Sequence, residues 1–188
     1  GFSMDLIPLL SRSGYRYVLV DSEHVEPVDD MDWSTLRYRP HVARHDGHEI
    51  IVVVRDRELS DAQESGMDPD WFVNEVAERT HWCGFEPLVT TATDGDNGGW
   101  FRNTSEGANF WSALYRPLLQ RARNGGTVRP TFIDDYIDRH GVGGEVRVRK
   151  LLSDPRPCAL GLADAAAAEP VVAEVPLALP QGASGREL

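Results

Sequence analysis

At 188 residues and 41% hydrophobic content, the chain has one domain's length and enough apolar material for a core. Its net charge of −11 speaks against partners built on clustered phosphates, whether a nucleic-acid backbone or an anionic membrane surface. No apolar stretch approaches the roughly 20 residues of a membrane helix, no leader is visible, and Cys83 and Cys158 show no metal-ligand spacing, so the chain reads as a cytoplasmic protein with two unpaired thiols.

In chain order, Asp5 to Ser13 carries apolar residues at 6, 7, 9 and 10 before Gly14, which predicts a short helix with a glycine stop. Tyr15 to Val20 is aromatic and β-branched and predicts a strand ending at Asp21, followed by a loop through Asp29, Asp30 and Asp32. Asp46-Gly47 between His41–Arg44 and Glu49–Val54 predicts a hairpin. Ile50 to Val54 does not alternate, so this strand is expected to be buried on both faces, as in a parallel sheet.

Asp56 to Glu64 and Asp68 to His81 read as helices, the second with Asp68 as N-cap and Pro69 at the first helical position. Phe85 to Thr91 is the next strand. Ser105 to Arg123 is a helix with an apolar face through Phe110, Trp111, Leu114 and Leu118, stopped by Gly125-Gly126, and Thr131 to Arg139 is one more. Trp71 and Trp111 fall at helical spacing among apolar neighbours and are expected in the core. Residues 151–188 hold no aromatic residue, an alanine run (Ala165 to Ala168) and five prolines, which predicts a disordered tail. The expected division is a domain over 1–149 and an Ala/Pro-rich tail over 150–188.

Charged residues gather after each predicted strand: Asp21, Glu23 and His24; Arg55 and Asp56; Asp94 and Asp96. In a parallel α/β sheet that is the face where active sites are built. The run Thr93-Asp94-Gly95-Asp96-Asn97-Gly98-Gly99-Trp100 puts a carboxylate, an aromatic plate and permissive backbone at one strand end, a combination suited to holding and cleaving a sugar. It lacks the Glu at the twelfth position of an EF-hand and the Lys-Ser/Thr ending of a phosphate cradle. Turn residues remain the plain alternative for Asp94 and Asp96. His24 either lines the cleft or faces solvent, and Arg55 and Asp56 either bind sugar hydroxyls or form a structural ion pair. His41, His45 and His48 crowd the hairpin, but alternation across a turn separates them, so they read as surface histidines rather than a metal site. No cofactor is implied.

The Asp94-to-Trp100 run resembles the fourth conserved region of glycoside hydrolase family 57. Val54-Arg55-Asp56-Arg57-Glu58-Leu59-Ser60-Asp61 and Gly14-Tyr15-Arg16-Tyr17-Val18-Leu19-Val20-Asp21 are similar to two further segments of that family. The resemblance covers about residues 1–148. It implies an incomplete (β/α)7, TIM-like barrel lacking its N-terminal strands, and an α-glucan substrate. It also implies retaining chemistry with Asp94 as general acid/base, Trp100 as a sugar-stacking ring, and Arg55, Asp56, His24 and Asp96 as substrate contacts. The family's nucleophile Glu lies just upstream of a segment like Gly1–Asp5, so the chain is expected to be an internal piece of a catalytic domain, with open sheet edges that invite self-association. A silent carbohydrate-binding remnant stays open. So does a metal-dependent polysaccharide deacetylase using Asp29-Asp30 or Asp134-Asp135.

Overall fold

The computed structural model describes residues 2–64, 68–93, 111–149 and 171–174. A 3₁₀ turn at Met4–Leu6 runs into helix α1 (Ile7–Arg12), and Gly14 at φ 82° reverses the chain into strand β1 (Tyr17–Asp21). A 3₁₀ turn, Ser22–His24, leads to strand β2 (Val25–Pro27), helix α2 (Trp33–Tyr38) and the hairpin of β3 (His41–His45) and β4 (His48–Arg55). Asp46 and Gly47 both take positive φ, 48° and 70°, as a two-residue hairpin turn of the predicted kind requires.

Helices α3 (Arg57–Glu64) and α4 (Pro69–Thr80) follow, then strand β5 (Leu88–Thr91). Asp68 caps α4 as predicted, its carboxylate accepting from the Asp70 and Trp71 amides at 2.8 and 3.1 Å. A π-helical turn, Trp111–Tyr115, opens into helix α5 (Arg116–Arg123). Pro117 accounts for that turn: it has no N–H to donate, and its ring crowds the carbonyl of Ala113. The fold closes with β6 (Arg129–Pro130), helix α6 (Ile133–His140), β7 (Val146–Val148) and β8 (Val171–Glu174).

The main sheet runs β1-β4-β5-β8-β6, with β1, β4 and β5 parallel and β8 antiparallel to its neighbours. β3 pairs antiparallel with the first part of β4, on the edge that β5 takes up at Arg55↔Thr90. β2 and β7 form a separate antiparallel pair. Among the described residues β1 pairs with β4 alone, and the expectation of self-association rests on that open edge.

The lack of alternation in β4 has the predicted consequence. Ile50, Val52 and Val54 pack with Ile7 of α1, Val20, Ala43, Val146 and Val148, while Val53 packs on the opposite face with Ile133, Tyr136 and Ile137 of α6. Each such aliphatic contributes about 1.5 to 3 kcal/mol by leaving water. A third cluster joins Tyr38, Leu59, Phe72, Val76, Val89, Leu114 and Leu118 beneath α2 to α5.

Several expectations are revised. Trp71 is 42% exposed on α4, since Phe72 and Val76 take the core-facing stripe. Val171–Glu174 pairs with β5 inside the stretch expected to be disordered, in keeping with the β-branched Val171 and Val172. The sheet is mixed α/β with a parallel centre. No helix among the described residues is long and apolar enough to cross a membrane.

Candidate active site

Because β1, β4 and β5 run parallel, their carboxyl ends lie at one edge of the sheet, and Asp21 stands directly opposite Arg55 in the register. Arg55 ties all three ends together. Its Nη1 donates to Asp21 Oδ2 at 2.6 Å, and its Nε donates to the Ala92 carbonyl, just past β5, at 2.6 Å. Its Nη2 reaches Asp61 Oδ1 at 3.4 Å. Arg55 and Asp21 are only 19% and 16% exposed, so their attraction is less screened than that of a surface pair. Asp21 also accepts from the Glu23 amide at 3.1 Å, which shapes the turn carrying His24. Arg57 joins the group through Glu23 at 3.2 Å and Asp21 at 3.6 Å.

Asp56, the neighbour of Arg55, points inward. It is 2% exposed, and its Oδ1 accepts from the Leu59 amide at 3.0 Å as the cap of α3. Its Oδ2 faces the Tyr38 hydroxyl at 3.4 Å and Arg79 at 3.7 Å. Burial pushes the Tyr38 hydroxyl well above its ordinary pKa, with the Asp56 charge acting the same way, so Tyr38 stays protonated. Arg79 also holds the exposed Glu58 at 2.7 Å, and that hydrogen bond keeps the Glu58 carboxyl below its ordinary value.

Ser60, which sequence reasoning passed over, is fully buried and links two elements. Its hydroxyl donates to the Asp56 carbonyl at 2.5 Å and accepts from the Ala92 amide at 3.1 Å. The chain leaving β5 is thus held at Ala92 on both its N–H and its C=O. Ser60 stands in the Arg55-to-Asp61 motif, but only the fold brings it to Ala92. His24 is half-buried in its turn, with its carbonyl accepting from the Arg149 amide at 2.8 Å. Asp94, Asp96 and Trp100 lie outside the described residues, which on this side stop at Thr93.

The three hairpin histidines part company. His45 lies 3.4 Å from Asp5 beside the hairpin turn, and His48 bonds the Asp46 carbonyl. His41, expected on the surface, is fully buried, with Nε2 3.0 Å from the Leu36 carbonyl and Nδ1 without a partner. Among the described residues no group of three or more His, Cys, Asp or Glu is placed to hold a metal ion. Asp134 and Asp135 sit in the first turn of α6, and Asp134 is paired with Arg16 at 2.6 Å.

Burial drives the His41 imidazole below its ordinary value of 6.5, opposed by backbone hydrogen bonds at Leu36 and Thr35 and aided by the Arg39 charge. Below about pH 6.5 the unfolded chain binds a proton that the folded chain refuses, so stability falls as pH drops through that point. The carboxyls of Asp32 and Glu58 are held low, and they stay ionised across this window. Urea midpoints measured at pH 7.5 and 5.5 are expected to separate in the natural chain and to close up in His41→Gln. An equal separation in both would show that His41 is not the source.

Comparison with known proteins adds one finding. The family model of Glycosyl hydrolase family 57 matches residues 2–149. No curated protein matches the chain.

Proposed function

This chain belongs to glycosyl hydrolase family 57, and from that membership we propose that it is part of a barrel that cleaves or transfers α-glucosidic bonds with retention, using Asp94 as general acid/base. The family is one of glycoside hydrolases and transglycosylases acting on α-glucans. The observation that carries the reading is the convergence of three parallel strand ends on Arg55, with the β5 exit pinned at Ala92, two residues before Asp94 in sequence. A pinned exit of this kind suits a residue that must meet a glycosidic oxygen to within a few tenths of an ångström.

Retention requires two carboxylates about 5 to 5.5 Å apart. One attacks the anomeric carbon and forms a glycosyl ester as the bond to the leaving oxygen breaks. Asp94, protonated at the outset, gives its proton to that oxygen. As a carboxylate it then takes a proton from water or an acceptor hydroxyl, whose oxygen attacks the anomeric carbon and frees the first carboxylate. Trp100 would stack on a pyranose ring, and Asp96 and His24 would border it. Glu23 and Glu58 are poor candidates for the nucleophile, since each is exposed and engaged by an arginine, Arg57 at 3.2 Å and Arg79 at 2.7 Å. In keeping with the family resemblance, which puts the nucleophile Glu just upstream of a segment like Gly1–Asp5, we propose that the nucleophile is a Glu outside these 188 residues.

Proton NMR of amylose digestion tests this. A complete catalytic domain containing this sequence is expected to release α-anomeric product first, and the 188-residue chain alone is expected to give no turnover. Initial β-product would overturn retention, and clear hydrolysis by the chain alone would overturn the assignment of an external nucleophile.

A further inference from the structure

Trp33 opens α2 with 54% of its surface exposed. Single exposed apolar side chains are ordinary, so exposure alone says little. What separates Trp33 is how it is held and where. Arg37, one turn on, lies over the ring with its guanidinium carbon 4.9 Å from the centroid, and Tyr38 meets the ring edge to face at 5.7 Å and 82°. Asp32 locks the turn beneath it, accepting from the Thr35 amide at 2.9 Å and the Thr35 hydroxyl at 2.6 Å.

Both supports are anchored at the strand ends. Arg37 Nη2 donates to Ser22 Oγ at 3.1 Å, one residue past Asp21, and the Tyr38 hydroxyl reaches Asp56, one residue past Arg55. The Nε of Arg37 is buried without a partner, so the guanidinium sits where the ring and Ser22 hold it rather than where all its donors are satisfied. Trp82 is more exposed, but its ring contact is with its own neighbour, His81. Trp33 is therefore an aromatic plate tied through Arg37 to Ser22, the residue that follows Asp21.

We propose that Trp33 is a stacking platform for a neutral glucosyl ring, forming a glucan subsite at the rim of the strand-end face. A pyranose has an apolar C–H face and a rim of hydroxyls. A half-exposed indole flanked by Arg37, itself bonded to Ser22, matches that division better than it matches a lipid, which would need a continuous apolar surface. A net charge of −11 is unsuited to a polyanion. The inference rests on the α-glucan reading above and adds a contact to it.

Isothermal titration of the full chain with maltoheptaose is the test, with circular dichroism as the check of folding. Trp33→Ala is expected to weaken binding about five- to tenfold, the worth of one aromatic stack, and Trp33→Phe to retain most of it. Unchanged affinity in Trp33→Ala, with binding intact in the natural chain, overturns the platform and leaves the glucan reading standing. Absence of maltoheptaose binding in the natural chain overturns the platform and leaves the α-glucan reading to the anomeric-product test on the complete domain.

Discussion

Asn in place of Asp94 is expected to lower kcat/KM of the complete catalytic domain on amylose by a factor on the order of 10³, within the range a positioned general acid contributes. The amide keeps the size of the side chain and removes the proton that the leaving sugar oxygen needs. The loss should fall on kcat, with KM little changed, because the group acts at the bond being broken. An aryl glucoside whose leaving group departs without protonation separates this role from a general loss of fold. Its first step, read as a burst of released phenol, is expected to survive in Asp94→Asn while amylose turnover does not. Amylose turnover at the natural rate would remove Asp94 from the role.

The second large effect falls on stability. Asp56→Ala is expected to destabilise the chain by about 3 kcal/mol, between the loss of a helix cap and the breaking of a buried ion pair. The change removes the cap on the Leu59 amide and leaves the buried Tyr38 hydroxyl without its carboxylate. Arg79 keeps Glu58 and Glu75 as partners. That limits its share of the loss. Asp56→Asn preserves the cap acceptor and the shape, and is expected to cost about 2 kcal/mol, the worth of a single hydrogen bond to a charged group. Urea denaturation of both variants measures the difference. A loss under 1 kcal/mol in the alanine variant would mean that the cap and the Tyr38 contact matter little.

The two neighbours Arg55 and Asp56 illustrate how far a motif can be read. Their sequence context marks a strand end with charge, and both proved to be there. Their division of labour is a matter of direction. Along a strand successive side chains leave on opposite faces, so Arg55 reaches across to Asp21 and Ala92 while Asp56 turns into α3 and the interior. Trp33 went unread because α2 is only six residues long, too short for periodicity to register, although Asp32 and Thr35 carried the cap signal.

The sequence by itself determined what depends on near neighbours. The Asp46-Gly47 turn, the Asp68 cap with Pro69, and the unbroken apolar run of β4 are legible because dihedral preference and hydrogen-bond reach act over a few residues. The runs around Arg55 and Asp94 likewise pointed to the family that matches residues 2–149. Only the tertiary structure decided which face of each element is covered. It buried His41 against Leu36, left Trp71 in solvent, and set β8 beside β5. It also joined Asp21, Arg55, Ser60 and Ala92, residues up to 71 positions apart (92 − 21), at one sheet edge. No local pattern encodes such a meeting, because burial and long-range pairing are properties of the neighbour that arrives, not of the residue that waits.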